Sequence, residues 1–267
     1  MPKRIDPAGL VGGINAVEAL IRMEPRRIRG LSLQRDSGSQ RLFALQRSAE
    51  AAGIHVRQLP MSQLDAWLPG DHQGVVAFCD ARSLEEWGEV REKMLASRRS
   101  ANPAIAVVPA ALEDPRNLGA CVRAAVGLGA MAMLLPGKGS TGLTPVASKA
   151  AAGTENAIAI CRVPDIEKEL RGMSASGFGI YGLDAEGDIE PHAVDLKGPV
   201  ILVVGGEDRG IPPHIARTLT CRLRLPMSQE CHSYNASVAL ALLLYETARQ
   251  RGFSGLNHPP SAPSQST

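Results

Sequence analysis

Aromatic side chains are scarce in this sequence: two Trp, three Tyr and four Phe, or 3 % of 267 residues. A protein that grips single-stranded nucleic acid chiefly through rows of stacking rings needs more of them. The five cysteines, Cys79, Cys121, Cys161, Cys221 and Cys231, form no C-x-x-C pair. That spacing argues against zinc ribbons and redox dithiols. The histidines fall in neither H-x-x-x-H nor H-E-x-x-H spacing, so no metal site is expected, and the G-x-S-x-G elbow of serine hydrolases is absent. No window approaches 18 uninterrupted apolar residues, and the basic residues of "MPKRIDPAGLVGG" have no apolar run behind them. With an odd cysteine count, these absences lead to the expectation of a cytoplasmic protein with no membrane partner. An excess of one charge is lacking too. A net charge of +2 neither demands nor forbids an RNA partner and leaves that role to a local patch.

What is present is ordinary globular material, 44 % hydrophobic with 27 glycines, long enough for one large or two modest domains. "GINAVEALIRM" and "SQRLFALQRSAEAAG" have the 3.6-residue period of helices, while "RIRGLSLQ", "IHVRQLP" and "HQGVVAFCD" read as strands. This alternation makes a small α/β domain over residues 1–95. A charged helix in "EEWGEVREKMLASRRSANPA" then runs into a linker at 96–103. A second domain, 104–256, alternates again. Its near-continuous apolar strands, such as "AIAVVPAAL", "MAMLLPG", "AIAICRV", "GFGIYGLDA", "PVILVVGGE" and "CRLRLPM", imply a mostly parallel sheet covered on both faces. The Pro/Ser-rich residues 257–267 are expected to be disordered. No internal repeat is present.

In an open parallel sheet, ligands bind outside the carboxyl ends of the strands. Three loops there have unusual polar content: "EDPRNLGACVR", "GGEDRG" and "PMSQECHSYNAS". The last leads into "VALALLLY", which is apolar on every side. A helix of that kind must be covered all round, which points to a second copy of the chain across a two-fold interface. "GGEDRG" is no dinucleotide fingerprint, because it is not G-x-G-x-x-G and has no acidic residue about twenty positions on. "LPGKGSTG" fails as a phosphate loop of the Walker type, with Ala132 and Gly139 in the wrong places. Taken singly, Asn117 reads as a helix cap and Arg123 as a solvated arginine. Arg123 nevertheless sits among Ala120, Cys121, Val122, Ala124 and Ala125, where a lone cation either pairs or faces a ligand. The run "RMEPRRIRG", with Arg22, Arg26, Arg27 and Arg29, is the densest basic stretch and a candidate for phosphate contacts.

Together, "DPRNLGACVRAA", "VVGGEDRGIP" and "LPMSQECHSYNASVALALLLYE" resemble, in order and spacing, the three motifs of the SpoU/TrmH-type RNA ribose 2'-O-methyltransferases of the SPOUT superfamily. "GINAVEAL" and "HQGVVA" resemble the L7Ae-like RNA-recognition domain of the branch that methylates guanosine in 23S rRNA, so the resemblance spans roughly residues 10–252. It implies a deep trefoil knot in the second domain, a homodimer, and S-adenosyl-L-methionine as cofactor. It also implies catalytic roles for Arg123, Asn117, Glu207, Ser233 and Asn235. Cofactor contacts would come from Leu183, Gly205, Gly206, Leu225, Met227, Ser233, Tyr234 and Asn235. The sequence departs from relatives at Tyr234, where Leu is common, and at Arg116, where His is common. A non-catalytic RNA-binding or ribosome-assembly module on the same scaffold, action on tRNA, and a nucleotide-dependent oxidoreductase are the competing readings.

Overall fold

Strands fall on the runs with two-residue or continuous apolar patterning and helices on those with the longer period, as burial requires. The computed structural model describes residues 9–70, 72–80, 83–137, 143–206, 209–231 and 233–256, with Pro145 by its backbone alone. Glu207, Asp208, His232, most of "LPGKGSTG" and the tail 257–267 lie outside the described residues.

The first unit is a four-stranded sheet of β1 (Leu10–Gly12), β2 (Ile28–Gln34), β3 (Val56–Leu59) and β4 (Val75–Cys79), ordered β1-β4-β2-β3. β2 and β3 are parallel and the other pairs antiparallel. Helices α1 (Ile14–Met23) and α2 (Gln40–Ala51) cover one face, with Val17, Leu20, Leu42 and Leu45 packed in a core with Leu31, Leu33, Val75 and Ala77. A short helix α3 (Met61–Trp67) covers part of the other face through Leu64. Sequence patterning misses both α3 and β1. The first is two turns long and the second is a three-residue strand hemmed by glycines, too short for either to register a period.

The second unit is a six-stranded sheet with every pairing parallel, ordered β10-β8-β9-β5-β6-β7. Its strands are β5 (Ile105–Pro109), β6 (Ala132–Pro136), β7 (Ala159–Val163), β8 (Gly179–Leu183), β9 (Val200–Val204) and β10 (Cys221–Leu223). All residues of β5, β6 and β9 are buried. Helices α5 (Pro115–Gly127), α6 (Pro145–Ala151) and α9 (Ala236–Gln250) pack on one face. The other takes α4 (Trp87–Ser97), α7 (Ile166–Ala175) and α8 (Pro213–Ala216). Helix α4 buries Val90 and Met94 in this second layer, and Ser97 Oγ accepts from the Ala104 N–H at 3.0 Å, so the chain turns directly from α4 into β5.

The two units touch through small residues. Gly153, in the left-handed region (φ 81°), lies so close to α1 that a Cβ there would stand 2.6 Å from Ala19 Cβ and 2.9 Å from the Ala16 carbonyl oxygen. Arg27 of the first unit donates to Asn156 Oδ1 of the second at 3.2 Å.

Gly119 sets the approach of α5 to α6. A Cβ on it would fall 2.2 Å from the Ala147 carbonyl oxygen and 2.6 Å from Ala150 Cβ. A backbone oxygen cannot swing aside, so the helices must part. Gly119→Ala is therefore expected to destabilise the fold by about 1–3 kcal/mol in chemical denaturation. Wild-type stability would mean that the α5–α6 contact is looser than this packing.

Candidate functional site

Because both faces of the parallel sheet are covered, its carboxyl edge is where polar groups can collect. There, a cleft opens beyond the ends of β8, β9 and β10. Its apolar lining includes Leu183, Leu223, Leu225, Met227 and Ala239, and its turns are Asp184–Ala185, Gly205–Gly206 and Ser233–Tyr234. Gly206 and Gly210 pair their backbones just beyond β9. Neither Gly205 nor Gly206 has room for a side chain: Cβ atoms would lie 2.3 Å from Gly210 C and 2.4 Å from the Ala111 carbonyl oxygen. The Tyr234 hydroxyl donates to the Pro226 carbonyl oxygen at 3.1 Å and ties together the two ends of the loop that precedes α9. Asp184 faces the cleft as part of a turn, accepting from the Glu186 N–H at 3.0 Å and pairing with Arg222 at 3.5 Å.

The loops after β5 and β10 meet through two amides. Asn235 is the N-cap of α9: its Oδ1 accepts from the Ser237 N–H at 3.0 Å and the Ser237 hydroxyl at 2.7 Å. Its Nδ2 donates to Asn117 Oδ1 at 3.0 Å, across 118 residues of sequence. Asn117 lies in the first turn of α5, whose own N-cap is Asp114, accepting from the Arg116 N–H at 2.8 Å. The Arg116 guanidinium, bonded to the Asp114 carboxylate, holds that carboxyl below its ordinary pKa. Asn117 is thus not the cap expected from sequence; Asp114 takes that position.

Arg123 lies elsewhere. Its side chain is exposed on α5 and lines a shallow hollow with Ala120, Ala124, Ser237, Val238 and Leu242, on the far side of the first turn of α9 from the cleft. Its guanidinium makes no hydrogen bond or ion pair with any other described residue. The hollow runs onto an apolar stripe of α9, where Val238, Leu242 and Tyr245 are 46 %, 42 % and 53 % exposed. Leu240, Leu243 and Leu244 of the same helix are buried. The basic run of the first unit is partly committed: Arg27 pairs with Glu24 and Asn156, and Arg29 with Asp80 at 2.6 Å. Arg22 and Arg26 stand exposed.

Residues 104–245 match the SpoU rRNA Methylase family, and residues 10–84 match the family described as RNA 2'-O ribose methyltransferase substrate binding. The chain is 34 % identical over 239 residues to the 23S rRNA (guanosine-2'-O-)-methyltransferase RlmB of Pseudomonas syringae pv. tomato, covering 90 % of this chain and 94 % of that protein. The chain belongs to the SpoU rRNA methylase family. RlmB of Coxiella burnetii is similar as well, at 32 % identity over 239 residues, 90 % of this chain and 94 % of the relative. Among solved structures, the SpoU methyltransferase AviRb from Streptomyces viridochromogenes, in complex with the cofactor AdoMet, superposes with a TM-score of 0.72 at 21 % identity. That match covers 91 % of this chain and 90 % of AviRb. An RNA 2'-O ribose methyltransferase superposes with a TM-score of 0.73 at 23 % identity, covering 91 % and 88 %.

Against this SpoU frame, Leu183, Gly205, Gly206, Leu225, Met227, Ser233 and Tyr234 all line one cleft. Asn235 and Asn117 join beside it, Arg123 stands apart and Glu207 is outside the described residues. Asp184, Ala185 and Ala239 also line the cleft and were not anticipated. Their signal was available for Asp184, a carboxylate placed directly after the apolar strand "GFGIYGL", but faint for two alanines.

Asn235→Ala removes the N-cap of α9 and is expected to lower stability by about 1 kcal/mol, whereas Asn117→Ala keeps the cap and costs less. Equal losses for the two variants in denaturation curves would mean that the shared amide bond, rather than the cap, dominates.

Proposed function

We propose that the protein transfers a methyl group from S-adenosyl-L-methionine to a ribose 2'-hydroxyl of RNA, with a guanosine of 23S rRNA as target, acting as a cytoplasmic homodimer. The observation that carries this reading is a cleft, beyond β8, β9 and β10, assembled from the loops of the SpoU motifs in a chain akin to RlmB over nine-tenths of its length. Its lining suits the cofactor: Leu183, Leu225 and Met227 offer an apolar slot for an adenine ring, and the Gly205–Gly206 and Ser233–Tyr234 turns bring peptide groups to its rim. The bound cofactor supplies an already activated methyl group.

The work left to the chain is alignment and charge. Arginine does not deprotonate near neutral pH, so Arg123 acts by electrostatics, holding the 2'-oxygen and its neighbouring phosphate as negative charge develops. Asn117, Asn235, Ser233 and Glu207 orient Arg123, ribose and cofactor, and the proton leaves late, to water or to a neighbouring acceptor. Arg123 lines a hollow separate from the cleft of its own subunit. The exposed stripe of α9 supports a two-fold contact in which Arg123 serves the cleft of a second copy. The trefoil knot belongs to the same reading, supported by the match of residues 104–245 to the SpoU rRNA Methylase family. The four-stranded unit receives the RNA.

Labelled S-adenosylmethionine and unmodified 23S rRNA, followed by mapping of the modified nucleotide, test the activity. Label on a base, or on tRNA alone, would overturn the target. Arg123→Ala should lower methyl transfer by about 10²–10³ while calorimetry finds cofactor affinity unchanged; a parallel loss of affinity would move Arg123 into the cofactor shell. Leu242→Arg should yield monomers in light scattering and abolish transfer together, and an active monomer defeats the dimeric site.

A further inference from the structure

Helices α1 and α2 leave the opposite face of the first sheet open beyond α3, and a group of side chains there has no part in the mechanism above. The guanidinium carbon of Arg57, on β3, lies 5.0 Å from the ring centre of Trp67 and 5.0 Å from that of Phe78. The two rings meet edge to face, their centres 5.0 Å apart and their planes at 78°. Strand β2 separates Arg57 from Phe78, but it presents Ser32 opposite Arg57 and Gly30 opposite Phe78. At Gly30 a Cβ would meet only the His55 carbonyl oxygen, at 3.9 Å. Arg57 reaches across the neighbouring strand to both rings. Ser32 Oγ accepts from Arg57 Nε at 2.9 Å and fixes the plane of the guanidinium.

Arg57 is nonetheless exposed, with Trp67 and Phe78 half-buried beneath it. Apart from Nε, its nitrogens bond to no other described residue. A clamp that merely fixed α3 to the sheet would use the same ring contacts and leave the Nη donors idle. Other parts of this unit are already engaged: Arg27 and Arg29 are paired, and α1 abuts Gly153.

We infer that Arg57, Trp67 and Phe78 form an RNA contact. A nucleobase of an unpaired segment stacks on the outer face of the guanidinium, and the Nη groups donate to its edge or to the adjacent phosphate. A planar, weakly hydrated cation seated against aromatic rings is suited to both tasks. The inference rests on the reading of the protein as an RNA 2'-O-methyltransferase.

The chain has two tryptophans, so Trp87→Phe leaves Trp67 as sole reporter. Titration of that variant with unmodified 23S rRNA made in vitro should change Trp67 emission to saturation. Arg57→Ala should raise KM for the RNA by about tenfold with kcat held, since one stacked base contributes on that scale. Arg57→Lys, which keeps the charge but loses the plane, should recover only part of it. Unchanged Trp67 emission at saturating RNA overturns the inference. So does an Arg57→Ala variant that loses thermal stability but keeps KM. If the wild type methylates no RNA, the functional reading fails on its own, and the Trp67 titration still decides whether RNA sits on this face.

Discussion

The constraint on which the rest of the second unit depends is the complete burial of its central strands. β5, β6 and β9 expose no side chain on either face. No functional group can therefore stand on the body of the sheet, and chemistry is confined to the carboxyl edge where the backbone leaves it. The strand order decides which loops can collaborate there. β10, β8 and β9 are neighbours, so their loops enclose one cleft. The loop after β5 is next in line and reaches it through Asn117 and Ala111, the latter packed against Gly206.

Several residues of the motifs serve the fold as much as the site. Asn235 caps α9 and, with the other end of the same amide, bridges to α5. Gly119, Gly205 and Gly206 have backbone within 2.4 Å of where their Cβ atoms would sit, so the packing of the fold alone demands glycine there. A loss of activity on substituting any of these positions is consequently no measure of a chemical role by itself. Such variants need a stability measurement beside the rate.

The parallel sheet and the cleft were largely legible in the sequence, since continuous apolar strands and polar loops at their ends are local signals. Other features were not. The closing helix is apolar all round in sequence, but only packing separates the buried Leu240, Leu243 and Leu244 from the exposed Val238, Leu242 and Tyr245. The basic run looked uniform, yet tertiary partners claim Arg27 and Arg29 and leave Arg22 and Arg26. Arg57, Trp67 and Phe78 belong to a strand, a helix and another strand, and they meet because β3 and β4 flank β2 and α3 lies on the same face. Patterning along the chain carries no trace of that encounter.

The docking of the two units gives these separate features a common frame. Ala16 and Ala19 of α1 press on the Gly153 turn, which together with α6 packs against α5. That helix carries Asn117 in its first turn and Arg123 further along. Side chains at these contacts are small or absent, and small residues leave little rotamer freedom through which the units could shift against each other. A displacement of the first unit would have to move backbone, at Gly153 or along α6, before it could be absorbed. The distance from the open face of the first sheet to the cleft of the second is thus set by close packing rather than by the reach of a tether. An RNA held on one unit would present its nucleotides to the other in a fixed register.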